Sequence, residues 1–111
     1  EKFTEFYIPA GRDYPGELAT GEPLTVTLRI VSQEHQDTSY HVEVQVDGEK
    51  VKETEGFTLT NQETRDVTVT IVPAKAGKQQ QVEFLLYRDG DDRSVVYRTT
   101  NLWINVEASK S

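Results

Sequence analysis

The sequence predicts an all-β fold, namely an immunoglobulin-like β-sandwich of seven to eight antiparallel strands in a Greek-key arrangement. Apolar and polar residues alternate in most segments, and a period of two is typical of strands, whose successive side chains point to opposite faces. Turn-forming residues recur roughly every ten positions, as in small sandwiches. No segment has convincing helical periodicity. A Greek-key barrel is the structural alternative.

Two runs in the first half of the chain are the strongest strand signals. In Leu24 to Ile30 (LTVTLRI) and Tyr40 to Asp47 (YHVEVQVD), every second residue is apolar. Each run thus offers one face to a core and one to water, and together they are predicted to form a facing antiparallel pair. The polar segment between them, Val31 to Ser39, is predicted to connect them at one end of the sandwich.

The neighbouring segments supply a short strand, a loop and a hairpin. Phe3 to Ile8 (FTEFYI) is predicted to be an aromatic strand, and the glycines and prolines of Pro9 to Pro23 predict an ordered loop with turns. Asp47-Gly48 is the strongest hairpin signal, because both central positions of a type I′ turn need positive φ. The returning strand is predicted at Lys50 to Glu53.

The second half of the chain continues the strand pattern. Strands are predicted at Phe57 to Leu59, Arg65 to Val72, Gln80 to Tyr87 and Val95 to Val106. A hairpin over Arg88 to Arg93 joins the last two. The residues predicted to face the core from these strands are Val67, Val69, Ile71, Val82, Phe84, Leu86, Leu102, Ile104 and Val106.

Composition limits the kinds of protein this can be. A length of 111 residues suits one compact unit, and we expect residues 1–111 to form a single domain. The net charge of -7 disfavours binding to nucleic acid and to anionic lipid. The absence of cysteine excludes disulfides, thiolate metal sites and cysteine nucleophiles.

The anchoring of the domain is also an expectation from sequence. The chain has no methionine and begins at Glu1, so we expect it to be a domain cut from a larger protein, whose membrane anchor is implied by the family resemblance described below. No apolar run approaches the roughly 20 residues that a spanning helix needs. Contact with a membrane is therefore expected only through segments outside these residues.

Several stretches together resemble a known family. They are the FTEFYI start, Gly21-Glu22-Pro23 before LTVTLRIVSQE, and then YHVEVQVDGE, VEFLLYRDG and LWINV. Over Phe3 to Val106 the chain resembles the extracytoplasmic domain of prokaryotic predicted membrane proteins known as domain of unknown function 1616. In that family the domain follows a bundle of transmembrane helices, so the resemblance implies an ectodomain on the extracytoplasmic face of a prokaryotic membrane. More loosely, the layout of GEP, VDG and AGK resembles the adhesion-related immunoglobulin-like repeats of bacterial and archaeal surfaces.

Two groups of side chains are candidates for metal sites. His35 and His41 lie near acidic residues, but their spacing matches no zinc motif and they are expected to be surface histidines. Asp89, Asp91 and Asp92 offer hard oxygen ligands on one loop and are weak calcium candidates, because the loop is far shorter than an EF-hand loop and lacks its bidentate glutamate. A solvated hairpin is preferred, and no cofactor is predicted.

Enzymatic activity is not expected. The serines stand in no G-x-S-x-G elbow, no glycine-rich phosphate loop precedes a helix, and no carboxylate pair among the nineteen acids is distinguished from the rest.

One feature indicates a binding surface. If Phe84 and Ile104 face inward, then Leu85, Tyr87 and Trp103 point outward and could form an aromatic patch, to which Tyr97 is added as a fourth candidate. The alternatives are that the N-terminal strand or the Pro9 to Pro23 loop covers them, or that the register differs by one residue.

These observations lead to two functional hypotheses. The first is a non-enzymatic extracytoplasmic module with a structural or recognition role in a membrane-associated protein, whose partner is a protein or an envelope glycan. The second is an accessory domain of a cell-envelope enzyme that positions a carbohydrate through Trp103, Tyr87 and Tyr97. Aromatic platforms suit both kinds of partner, so the sequence leaves both open.

Overall fold

The computed structural model describes residues 1–11 and 14–109, and in this part of the chain every regular element is a strand. No helix there is long and apolar enough to cross a membrane. The strands are β1 (Phe3–Tyr7), β2 (Glu17–Ala19), β3 (Leu24–Gln33), β4 (Thr38–Val46), β5 (Glu49–Glu53), β6 (Phe57–Leu59), β7 (Thr64–Ile71), β8 (Gly77–Arg88) and β9 (Arg98–Glu107). The all-β prediction is confirmed, but the described residues form nine strands and not seven to eight.

The strands form two sheets that pack as a sandwich. One sheet has three strands in the order β1-β3-β7, and the other has six, in the order β2-β9-β8-β4-β5 with β6 pairing β4. The pairs are antiparallel except for β2 and β9, which run parallel. Because the chain forms two separate sheets and not one closed sheet, the sandwich is the right architecture and the barrel alternative is not.

The two central runs face each other from opposite sheets. β3 pairs with β1 and β7, whereas β4 pairs with β5, β6 and β8, so the two are not hydrogen-bonded neighbours. Their alternating burial places the apolar side chains of both in one core. That core includes Leu24, Val26, Leu28, Ile30, Tyr40, Val42, Val44, Val69, Ile71, Val82, Phe84, Leu86, Ile104 and Val106. Burying each large aliphatic side chain contributes about 1.5–3 kcal/mol.

Several boundaries differ from the sequence prediction, and β8, for example, begins at Gly77 and not at Gln80. β3 and β4 extend into the predicted connection Val31 to Ser39, and they bury polar residues there. The predicted loop Pro9 to Pro23 contains β2, while its residues 12 and 13 lie outside the described residues. The last strand begins at Arg98 and not at Val95. In each case tertiary pairing, which local sequence does not encode, sets the boundary.

The hairpin between β4 and β5 has the predicted geometry. Asp47 and Gly48 have φ values of 48° and 83°. The positive φ of Gly48 is a backbone conformation that residues with a β-carbon rarely adopt. A β-carbon added there would nevertheless meet no atom within 4 Å. The demand for glycine is therefore conformational and not steric.

Gly48→Ala should lower the free energy of unfolding by about 1 kcal/mol, because the β-carbon of alanine makes the left-handed backbone conformation less favourable than it is for glycine. Gly16→Ala is the matched control, since Gly16 also has open space around it but does not have positive φ. Urea unfolding followed by circular dichroism measures both. Equal stability of the two variants would contradict the assignment of the turn.

Candidate functional site

The outer face of the six-stranded sheet carries the single tryptophan of the chain, Trp103. Trp103 lies on β9 with 59% of its surface exposed, while Ile104 and Val106 on the same strand are buried. On β8 the residue opposite Trp103 is Gln81. The structure therefore turns Trp103 away from the core, as the strand alternation predicts.

The four residues of the predicted aromatic patch do not come together. Leu85 is on the outer side of β8, opposite Glu43 and Thr99, but only 6% of it is exposed. Tyr87 lies six positions along β8 from Gln81, the neighbour of Trp103, which corresponds to about 20 Å along a strand. The prediction of one patch is thus wrong, because its members lie at opposite ends of the sheet face or under cover.

Tyr87 belongs to a separate group at the other end of β8. Its ring stacks on His41 with 5.0 Å between centroids and an interplanar angle of 7°. Burial, followed by the charge of Glu43, raises the pKa of the Tyr87 hydroxyl. His41 Nδ1 lies 2.8 Å from an Asp89 carboxylate oxygen. The ring of Tyr87 is therefore already covered by a neighbour on one face.

Tyr97 points inward and not to the sheet surface. Its ring packs against the core and lies between two guanidinium groups, those of Arg88 at 4.1 Å and Arg98 at 4.3 Å from the ring centroid. Its hydroxyl donates to the carboxylate of Glu34. The proposal of Tyr97 as part of an outer platform is corrected, because the segment before β9 turns this side chain between the sheets.

Glu34 is the centre of a buried polar network at this end of the sandwich. Only 3% of it is exposed. Thr4 Oγ1 donates to Glu34 Oε2 at 2.6 Å, and Arg88 donates to Oε1 at 3.0 Å. The buried Tyr40 hydroxyl lies 2.7 Å from Thr4 Oγ1 and 3.1 Å from Ser32 Oγ. The network thus links β1, β3, β4 and β8 with the segment before β9.

The network determines the charge state of Glu34. Burial alone would raise the pKa of this carboxyl, but hydrogen bonds from Thr4 and Tyr97 and the charge of Arg88 outweigh it, and the pKa falls below its ordinary value of 4.5. Every buried side-chain nitrogen or oxygen in the described residues has a hydrogen-bond partner. Glu34 is therefore a structural carboxylate and not a free general base.

The weak metal candidates point to different partners. Asp89 contacts His41, Asp91 accepts from Arg88 Nε at 2.8 Å, and Asp92 accepts from the backbone of Ser94 at 2.9 Å. In residues 1–11 and 14–109, no three histidine or acidic side chains are grouped so that they could hold a metal ion. The loop as it stands is a set of separate polar contacts.

Two concavities lie away from Trp103. A cleft of about 370 Å³ beside the Glu34 network is lined by polar residues that include Asp37, Arg88 and Asp91. Another, of about 330 Å³, lies between β5 and the β7–β8 connection and has Val51 and Val72 in its lining. Both are open at the surface.

The family described as Domain of unknown function (DUF1616) matches residues 1–105 of the chain. No curated protein matches the chain. These results assign a family without an activity.

Solved structures show the same fold at low sequence identity. A CARDB domain of Pyrococcus furiosus, crystallised in complex with di-metal ions, has a TM-score of 0.71 at 13% identity, covering 97% of this chain and 96% of that domain. The alkylpurine DNA glycosylase AlkC of Pseudomonas fluorescens has a TM-score of 0.61 at 11% identity and covers 95% of this chain and 30% of its own. A β-glucosidase of Listeria innocua has a TM-score of 0.60 at 15% identity, and the match covers 96% of this chain and 16% of the enzyme. The chain is thus an immunoglobulin-like domain of the CARDB kind in fold.

Glu34→Gln should lower the free energy of unfolding at neutral pH by about 2 kcal/mol, because a neutral amide replaces the buried charged acceptor of the hydrogen bonds from Thr4, Arg88 and Tyr97. A carboxyl with a lowered pKa in the folded state stabilises the fold above its unfolded pKa, and this stability is lost as the pH falls through the folded pKa. The variant should therefore lose part of the acid sensitivity of the wild type. Urea unfolding at a series of pH values from about 7 to 3 measures both effects.

The exposed Glu55 supplies the matched control for this experiment. Glu55→Gln should change stability by no more than about 0.5 kcal/mol and should keep the acid sensitivity of the wild type. A Glu34→Gln protein that matched the control would show that the network does not hold the two sheets together.

Proposed function

The chain belongs to the family of domain of unknown function 1616. From this premise we propose that it is a non-enzymatic immunoglobulin-like module of a membrane-associated protein and lies on the extracytoplasmic face of a prokaryotic membrane. Its role there is structural or recognition. The observation that carries the proposal is that the best-buried carboxylate of the described chain, Glu34, is fully hydrogen-bonded to residues from other parts of the chain. Its role is therefore to join strands and not to transfer protons.

The family and the fold support this proposal in different ways. The match to a CARDB domain extends over nearly all of both chains, so the likeness is to a whole module and not to a fragment. The family resemblance is the basis for the extracytoplasmic location. The acidic net charge of -7 favours a protein or glycan partner over nucleic acid or anionic lipid.

A second candidate is an accessory domain that positions a carbohydrate for a cell-envelope enzyme. The exposed Trp103 favours it, since an open indole face suits a sugar ring. A domain of the same fold occupies 16% of the Listeria β-glucosidase, which shows that this fold occurs as a minor part of a larger enzyme chain. Tyr87 and Tyr97 drop out of this candidate, because one is stacked on His41 and the other lies between the sheets.

Protease added to intact cells that express the native parent protein should digest this domain, and the domain should sediment with the membrane fraction. An epitope placed after residue 109 reports the digestion, and a cytoplasmic protein in the same cells is the control for lysis. A domain that is recovered in the soluble fraction and survives until the cells are broken would overturn the extracytoplasmic assignment.

A further inference from the structure

Resting on the recognition role proposed above, we propose that Trp103 and the side-chain amides beside it form a binding site for a neutral sugar ring. We call this surface the Trp103 face and define it by Gln81, Asn101, Trp103 and Asn105. All four lie on the outer side of the six-stranded sheet, with Gln81 on β8 and the other three on alternate positions of β9. Alternate residues of a strand lie about 7 Å apart on one face.

The tryptophan supplies the apolar part of such a site. Its indole is 59% exposed, and its position on a strand with partners on β8 holds its backbone in place. The faces of a pyranose ring carry C–H groups, which pack on an aromatic ring, while the hydroxyls project from the rim. An open indole flanked by polar groups therefore fits a sugar better than it fits a wholly apolar ligand.

The amides supply the polar part. In the described chain, the side chains of Gln81 and Asn101 make no hydrogen bond to protein, so their donors and acceptors remain available. Asn105 is held in place: its Oδ1 accepts from the backbone of Gln79 at 2.7 Å and its Nδ2 donates to Glu17 at 2.9 Å. Amides both donate and accept, which matches the hydroxyls of a sugar.

Charge decides which sugars fit. Glu83 lies next to Gln81 on the same face and opposite Asn101, and the Asn105 amide is bonded to the carboxylate of Glu17. Lys50, which ion pairs place on this face, lies three strands away on β5 and is held by Glu53 at 2.7 Å. The carboxylates of Glu83 and Glu17 disfavour acidic polysaccharides and can accept hydrogen bonds from neutral ones.

The same features favour a glycan over a protein partner. A protein interface needs an apolar centre of some size around its anchor residue. On β8 and β9 the neighbours of Trp103 on the face are amides, and the nearest apolar side chain on the outer side of β8, Leu85, is buried. A single indole among amides is large enough for one or two sugar rings.

The test uses the folded chain of 111 residues, in which Trp103 is the sole tryptophan, so that tryptophan fluorescence, excited selectively over that of the tyrosines, reports on this face. The probes are cellohexaose, mannohexaose and chitohexaose, with hexagalacturonate as the acidic counterpart, and calorimetric titration accompanies the fluorescence. At least one neutral probe should bind at millimolar concentration or below with a shift of the emission to shorter wavelength. Hexagalacturonate should bind more weakly.

Variants separate the parts of the site. Trp103→Ala should weaken binding of the neutral probe about tenfold or more, whereas Trp103→Tyr should keep most of it because a platform remains. Asn101→Leu should weaken binding severalfold without a change in stability, because it removes an exposed amide only. Phe3→Ala is the matched control, since Phe3 is an exposed aromatic on the other sheet, and it should bind as the wild type does.

Three outcomes would overturn the inference: no binding of any neutral probe at millimolar concentration, binding that survives Trp103→Ala, or equal binding of hexagalacturonate. A protein partner that is lost with Trp103→Ala in the absence of sugar binding would also overturn it. The outcome is independent of the protease experiment. Neutral sugar binding by a protected, soluble domain would refute the location alone, and an exposed ectodomain without sugar binding would refute the glycan site alone.

Discussion

The buried carboxylate of Glu34 is the constraint on which one end of this sandwich depends. A charge removed from water must be compensated by hydrogen bonds and an opposite charge, or it destabilises the fold. Here the compensation comes from three different parts of the chain, namely Thr4 on β1, Arg88 on β8 and Tyr97 before β9. Since β1 belongs to one sheet and β8 to the other, satisfying this single carboxylate also fixes how the two sheets meet.

That arrangement separates the chemistry of the domain from its open surface. At the Glu34 end, the carboxylate of Glu34 and the hydroxyl of Tyr97 are bonded to each other, and the Tyr97 ring is held between two guanidinium groups. The most exposed aromatic group stands elsewhere, on the outer side of β9. The polar network thus stabilises one end of the domain, and the open aromatic surface lies on a sheet face away from it.

Much of the fold could be predicted from the sequence because it depends on local pattern. The period of two in the strands placed Val82, Phe84 and Ile104 in the core, and the Asp47-Gly48 pair marked its hairpin, because both features follow from the geometry of one or two residues. The extensions of β3 and β4 were missed. Ser32 and Glu34 look like loop residues, and only their partners from distant strands make them buried ones.

The candidate site could be predicted less well, for the same reason. Alternation correctly turned Trp103 outward, but whether an outward side chain is open depends on its neighbours across strands. Leu85 is outward and covered, and Tyr97 precedes its strand, where alternation no longer applies. The one sequence signal for Glu34 was an acidic residue flanking a strongly alternating strand, which is also common on surfaces.

The position of Trp103 on a strand, and not on a loop, has a consequence for binding. A loop platform must be ordered when a ligand arrives, and that ordering reduces affinity. On β9 the backbone is already held by β8, and the nearby Asn105 side chain is fixed by the backbone N–H of Gln79 and the carboxylate of Glu17. Only the indole and the free amides of Gln81 and Asn101 have rotamers left to lose. A weak ligand such as a single sugar ring therefore gains most from this kind of rigid surface, and a row of such domains or rings would add affinity without further contacts.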